Sequence, residues 1–387
     1  MRILHIVKTA IGAGWVYQQV RVLCSLGFEI VVALPSASIG MAPKYKEIGA
    51  TVIPLVLDFP TGQPWQIPAV LRSCRKLIAS VRPDVIHTHH LGTTLTLRAA
   101  VGKSCSIPRV FQVPGPLHLE HGFFARLDIS SAGPQDHWIA CCRWTEQKYR
   151  ALGIDPKRVF LSYPGTDVNI FKSIPAQTLR SELGLGPDTP LVGMVCYVYA
   201  PKRFLGQSTG LKGHEDFIAA LQIAQRGRPE IRGVIIGGAW NGATKYEQHL
   251  RGLGRRACNG SLAFLGTRSD VPALYPDLDL AVVASHSENV GGAVEPLLSG
   301  VPVIATNVGG LPDLVQEGIT GWLVPPHDPK RLAAAILSSL ENRSAARRLT
   351  IEGQKLARRL FNVDTTAREV AAIYVKLGGR TASVHQP

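Results

Sequence analysis

No run of apolar residues in this sequence is long enough to cross a bilayer. Stretches such as residues 278–284 stop well short of the ~20 residues that a membrane helix needs. The opening MRILHIVKTA is not followed by the long apolar run and small-residue cleavage site of a secretory signal. It reads as a first strand, and the protein as cytoplasmic. The seven cysteines (Cys24, Cys74, Cys105, Cys141, Cys142, Cys196 and Cys258) are scattered, odd in number and contain no CxxC pair. A disulfide framework and a cysteine-built zinc cluster are therefore not expected. Neither glycine pair, Gly291-Gly292 or Gly309-Gly310, sits in GxGxxG or GxxxxGK[ST], so no dinucleotide fingerprint or P-loop is indicated.

What is present is a globular composition, 45% apolar and 18% charged, in a chain of 387 residues that fits two domains. The formal net charge of +14 leaves nucleic acid, an anionic membrane surface or phosphorylated substrates as partners. The basic residues are spread: Arg72, Arg75, Lys76 and Arg82, then Arg251, Arg255 and Arg256, then residues 343–359. No aromatic-interleaved basic module accompanies them, so nucleic acid is not expected, and peripheral contact with an anionic membrane remains open.

Residues 2–7, 29–34, 51–55, 85–87 and 110–113 read as strands, with helical periodicity over 16–26 and 69–80. The alternation restarts with strands at 191–195, 231–236, 262–265, 280–284 and 301–305. Helices are expected at 215–225, 271–275, 329–339 and 344–359. This predicts an α/β fold of two Rossmann-like parallel-sheet domains, joined near residues 163–181 and facing across a cleft.

Residues 287–314, SENVGGAVEPLLSGVPVIATNVGGLPDL, concentrate the chemistry. Asn289, Val290, Gly291 and Gly292 precede or open a short helix, whose free N–H groups suit an anion. Glu288 lies before that turn and Glu295 within the helix, where a carboxylate would accept from sugar hydroxyls. A phosphate flanked by hydroxyls is what a nucleotide sugar presents. Solvent-facing glutamates beside ordinary turn glycines are the alternative.

This segment resembles the signature of glycosyltransferase family 4, retaining enzymes of the GT-B fold. The usual form is E-x7-E, then G-x-P-V-[IV]-A and GG. Here Gly300-Val301-Pro302-Val303-Ile304-Ala305 and Gly309-Gly310 follow, and residues 317–324, EGITGWLV, resemble a later family motif. Glu288 and Glu295 enclose six residues, not seven. Also similar are the glycine-rich loop at Gly12-Ala13-Gly14, the histidine-ending strand at residues 81–89 (VRPDVIHTH), the linker at residues 163–171 (YPGTDVNIF) and Lys212-Gly213.

The resemblance implies an N-terminal acceptor-side domain (1–170), a C-terminal donor-side domain (171–360) and a final segment (361–387) packing back on the first. It implies a hexosyltransferase moving sugar from a nucleoside diphosphate donor, UDP-hexose by preference, to a glycan or lipid-linked hydroxyl with retention. His118, Lys212 and Glu288 are the expected catalytic residues. Donor binding falls to Gly14, Arg203, Lys212, Glu288, Asn289, Val290, Gly291, Gly292 and Glu295, with Lys202 a rival to Arg203. Trp15, His89 and His121 are expected on the acceptor side, with His90 a rival histidine. No cofactor and no catalytic metal are expected. Phe123 and Phe124 read as core more than as a sugar or lipid contact. A nucleotide-sugar epimerase, another GT-B enzyme, or a non-catalytic binding protein of this fold are the alternatives.

Overall fold

The computed structural model describes residues 1–60, 62–171 and 178–379. The chain divides into two units. The first is Met1–Asp167 together with the chain from Leu360 on, and the second is Val168–Arg359. Residues 172–177 of the expected linker and 380–387 of the expected final segment lie outside the described residues.

The first unit is built on a seven-stranded sheet. Its strands are β1 (Arg2–Ile6), β2 (Glu29–Leu34), β3 (Thr51–Pro54), β4 (Val85–Thr88), β5 (Arg109–Val113), β6 (Asp136–Ala140) and β7 (Val159–Leu161). The order is β3-β2-β1-β4-β5-β6-β7, and every pairing is parallel. Ile3 pairs with Ile30 on one side and Val85 on the other. Both faces of such a sheet are covered, so β4 and β5 are buried at every residue.

The helix Gly14–Ser25 packs Val16, Val20 and Leu23 on this sheet, and the helix Val363–Leu377 adds Val370 and Tyr374 to the same core. The sequence reading passed over β6 because its first two residues, Asp136 and His137, break the apolar pattern. Asp136 is a buried anchor: it accepts from Arg98 Nε at 2.9 Å, a terminal nitrogen of Arg109 at 2.7 Å and the Gly133 N–H at 2.6 Å.

The second unit holds a six-stranded parallel sheet. Its strands are β8 (Leu191–Val195), β9 (Arg232–Ile236), β10 (Leu262–Gly266), β11 (Leu280–Val283), β12 (Val303–Thr306) and β13 (Trp322–Val324), in the order β10-β9-β8-β11-β12-β13. The GVPV motif acquires a local reason here. Gly300, at φ 75°, ends the helix Gly291–Leu298 in the left-handed conformation, donating to Leu297 O at 3.0 Å. Pro302 precedes β12, where its missing N–H costs no ladder bond.

In both sheets the strand order reverses direction once, between β1 and β4 and between β8 and β11. At such switch points the loops leaving the strand ends diverge and open a crevice.

Candidate functional site

The loop leaving β8 ends at Lys212, just before the helix His214–Gly227. The loop leaving β11 carries Ser285 to Val290 into the helix Gly291–Leu298. The two loops are tied by the His286 N–H, which donates to Leu211 O at 2.8 Å. Gly213 adopts φ 70°, and a Cβ there would lie 1.9 Å from Ala284 O at the end of β11. Only glycine permits that approach, and it sets the preceding lysine over the crevice.

Lys212 Nζ forms an ion pair with Glu288 Oε2. Ser285 Oγ donates to the same oxygen at 3.0 Å, and the Asn289 N–H reaches Oε1 at 3.2 Å. Burial disfavours the lysine's charge, but the charge and hydrogen bond of Glu288 outweigh it and raise its pKa. Lys212 is thus a fixed cation. The neighbouring Cys196 thiol is pushed up to about 12 by burial and stays a neutral neighbour.

The helix Gly291–Leu298 starts without a side-chain cap. Its first N–H groups therefore remain available to an anion. A Cβ on Gly291 would meet nothing within 4 Å, so the approach there is open. Val290 is buried, and Asn289 Oδ1, also buried, has no hydrogen-bond partner among the described residues.

Glu295, one turn into the helix, accepts from the buried Tyr275 hydroxyl at 3.2 Å. Its side chain keeps an exposed flank. Desolvation by the surrounding protein pushes its carboxyl upward, and the Tyr275 hydrogen bond opposes that only in part. Glu295 lines a cavity of about 280 Å³ together with Cys196 and Tyr197 after β8, Gly237 after β9, and Thr267 and Arg268 after β10.

The second basic group differs from expectation. Arg203 lies exposed in a short 3-10 turn and makes no salt bridge among the described residues. Arg268 occupies the cavity wall instead, held by Glu182 at 2.8 Å and Asp270 at 2.7 Å. The signal for it was its place just after an expected strand. Asp277 and Asp279 have structural work: they accept from the Leu179 N–H at 2.7 Å and from Arg180 at 2.6 Å.

The switch point of the first sheet is of another kind. Ala13 sits at φ 53°, the left-handed conformation a glycine would take freely, and caps the helix Gly14–Ser25 without a side-chain bond. A Cβ on Gly14 would meet nothing within 4 Å. Beneath lie His5, His87 and His89, all fully buried. His5 Nδ1 and His89 Nε2 are 2.9 Å apart, and the Tyr374 hydroxyl bridges His87 and His5.

His89 was expected to face an acceptor. It is instead sealed, with the edge of the half-buried Trp15 ring over it at 5.1 Å, so Trp15 is the group with solvent access. Burial lowers the pKa of all three histidines, that of His5 to about 3, and that of His90 to about 4. The three rings converge as metal ligands would, but no solvent reaches them.

His118 is held by its Nε2, 3.1 Å from the Tyr149 hydroxyl and 3.4 Å from Asp128 Oδ2. Burial alone would raise the Asp128 carboxyl. The hydrogen bond of His118 and the charge of Arg98 instead hold it at about 2. This orients the imidazole, whose Nδ1 has no hydrogen-bond partner among the described residues. His121 precedes the helix Gly122–Ser131. Phe123, read as core, is 72% exposed, with its ring edge-to-face against Phe124, because that helix buries its Ala125 and Asp128 side instead.

Two family models match the chain. "Glycosyl transferases group 1" covers residues 203–356, and "Glycosyltransferase Family 4" covers residues 13–170. The chain belongs to these glycosyltransferases.

Among curated relatives, the D-inositol 3-phosphate glycosyltransferase of Thermobispora bispora is 32% identical over 57% of this chain and 51% of its own length. That of Segniliparus rotundus is 30% identical over 57% and 47%. The chain thus spans about half the length of the curated relatives it matches. Among solved structures, Anabaena HepE in complex with UDP-glucose aligns at TM-score 0.79 with 21% identity, covering 97% of this chain and 100% of that one. Sucrose-phosphate synthase from Thermosynechococcus elongatus aligns at TM-score 0.79 with 20% identity, covering 98% and 100%. These similarities carry the GT-B fold. Among the described residues, no helix is long and apolar enough to cross a membrane.

Proposed function

We propose that this glycosyltransferase moves a hexosyl unit from a nucleoside diphosphate sugar, UDP-hexose, to a hydroxyl of a glycan or lipid-linked acceptor, with retention of configuration. The observation that carries the reading is the meeting of Lys212 and Glu288 at the β8–β11 switch point, beside an uncapped helix bearing Glu295. Lys212 would receive the diphosphate and balance the charge that builds on it as the glycosidic bond breaks. Glu295 would accept from the ribose hydroxyls, with the cavity along β8–β10 taking the nucleoside and Tyr197 offering a ring to the base. Glu288 and the backbone of 289–292 would hold the donor sugar, with Arg268 replacing Arg203 at the rim. The HepE complex with UDP-glucose supports a uridine donor.

Glu288 already engages Lys212 and Ser285, which makes it a poor nucleophile. A front-face substitution suits these residues better. The anomeric C–O bond to the diphosphate breaks, the acceptor oxygen bonds on the same face, and its proton passes to the departing phosphate oxygen. His118, oriented by Asp128, is proposed to hydrogen-bond a donor hydroxyl through Nδ1, and Trp15 and His121 to meet the acceptor. The proposed setting is the cytoplasm, with peripheral contact at an anionic membrane face where the acceptor is lipid-linked.

Thermal-shift titration with UDP-, GDP- and ADP-hexoses tests the donor: UDP-glucose should raise the midpoint most, and a preference for GDP or ADP overturns that assignment. NMR of the product anomer tests retention. Unchanged nucleotide binding in Glu295→Ala overturns the site.

A further inference from the structure

A second cluster lies beside the Lys212–Glu288 pair and plays no part in the transfer proposed above. Asp216, in the first turn of the helix His214–Gly227, accepts from or shares a proton with His286 Nε2 at 2.7 Å. The His286 ring lies against that of His327, with centroids 3.7 Å apart. One ligand atom from each of Asp216, His286 and His327 falls within 4.8 Å of the other two. The three residues come from three separate segments: a helix start, the loop after β11 and the loop after β13. Unlike the sealed histidines of the first unit, this group is open. Asp216 and His286 are half-buried and His327 is exposed, so an ion can enter.

Two features argue that the grouping is more than a hydrogen-bonded pair. His327 adopts φ 58°, a left-handed backbone that glycine takes freely and a side-chain-bearing residue does not. Such a conformation persists where the surrounding structure over-determines it, so the direction in which His327 leaves its loop is set. The main chain of His286 is also fixed, by its N–H bond to Leu211 O at 2.8 Å, so one ligand is preorganised.

We infer that Asp216, His286 and His327 form a site for a divalent transition-metal ion of the zinc class, with water completing the coordination. Two imidazoles and one carboxylate are a set that Zn²⁺ accepts at ~2.0–2.2 Å, which in a tetrahedron puts the ligand atoms ~3.4 Å apart. The Asp216–His286 pair, now 2.7 Å apart, would open to admit the ion, and the exposed His327 side chain would swing in to complete the set. Such an ion would clamp the segment that carries Lys212 to the loop that carries Glu288. Its role is structural, bracing the crevice from outside.

The test uses the whole chain, freed of metal by chelation, in calorimetric titration with ZnCl2 and with MgCl2 as control. One Zn²⁺ should bind per chain and raise the thermal midpoint, and Mg²⁺ should do neither. Co²⁺ should give visible absorption bands of a four- or five-coordinate site. His327→Gly, which relieves the backbone strain and so should fold, and the isosteric Asp216→Asn should each weaken Zn²⁺ binding at least tenfold. Absence of Zn²⁺ binding overturns the inference. So does binding that both variants leave unchanged, which would move the ion to a cysteine or to the buried histidines. None of these readouts depends on sugar transfer, so the result stands apart from the fate of the proposed function.

Discussion

Between β1 and β4 the chain gathers neutral imidazoles and seals them, whereas between β8 and β11 it gathers an ion pair and leaves it half-open. The strand order about the switch point is the same in both sheets. The difference lies in what fills the crevice. In the first unit Tyr374, from the helix Val363–Leu377, reaches the histidines and completes a buried hydrogen-bond network. In the second unit the corresponding crevice has a lysine, a glutamate, an unpartnered Asn289 oxygen and an uncapped helix. The first switch point is closed by a buried hydrogen-bond network, and the second holds a charged pair beside an uncapped helix.

The largest expected effect is on acidification. Burial pushes the His5 pKa down from the ordinary 6.5 to about 3, and depresses His87, His89 and His90 as well. Their stabilisation is complete above pH ~6.5. As pH falls from there toward their folded values, the unfolded chain takes up protons that the folded chain refuses. The loss is about 1.4 kcal/mol per pH unit for each such group, less where the groups are coupled. In the second unit His214 shows a comparable shift, to about 4. Hydrogen exchange compared at pH 7 and pH 5 should therefore show β1 and β4 losing protection well before β8 and β11. Equal loss in both sheets would break the comparison.

Lys212→Ala should slow transfer by ~10²–10³, the scale of removing one fixed electrostatic donor. The counterpart in the other crevice, Tyr374→Phe, should leave turnover unchanged and lower stability by about 1–3 kcal/mol, because it leaves buried histidine nitrogens unsatisfied. Initial rates and urea unfolding on both variants read the two halves of the contrast. Glu295→Ala comes next. Losing hydrogen bonds from a carboxylate to the ribose should weaken UDP binding ~10–100-fold. A 2′-deoxy nucleotide should bind wild type more weakly than UDP but lose little more in the variant.

How far the sequence foretold this depends on what each residue needs in order to be read. Strands buried on both faces, such as EIVVAL of β2, are continuous apolar runs and were legible. So was Lys212-Gly213, and the clash of a Cβ at 213 with Ala284 supplies the reason for its glycine. β6 was hidden by Asp136, whose partners Arg98 and Arg109 are distant in sequence. Arg268 was not singled out in the sequence, because a loop's path, not its composition, decides which arginine lines a cavity. Likewise the sealing of His89 depends on Trp15 and His5, which nothing in its own neighbourhood announces.

The smallest expected effect is also the most specific. Tyr275→Phe deletes the hydroxyl that donates to Glu295 Oε2 at 3.2 Å and little else. Burial already raises the Glu295 carboxyl, and this hydrogen bond is what pulls it back. Without it the folded pKa should rise further. A carboxylate that accepts from two hydroxyls must be ionised, so donor binding is present above that pKa and lost as pH falls through it. The variant should therefore bind UDP as wild type does at pH 8 and a few-fold more weakly near pH 5–6, with the loss starting at a higher pH. Calorimetric titration across that range decides the matter. A deficit of the same size at every pH would mean that Tyr275 positions the helix Gly291–Leu298 by packing. The half-open crevice would then owe its affinity to shape more than to a tuned charge.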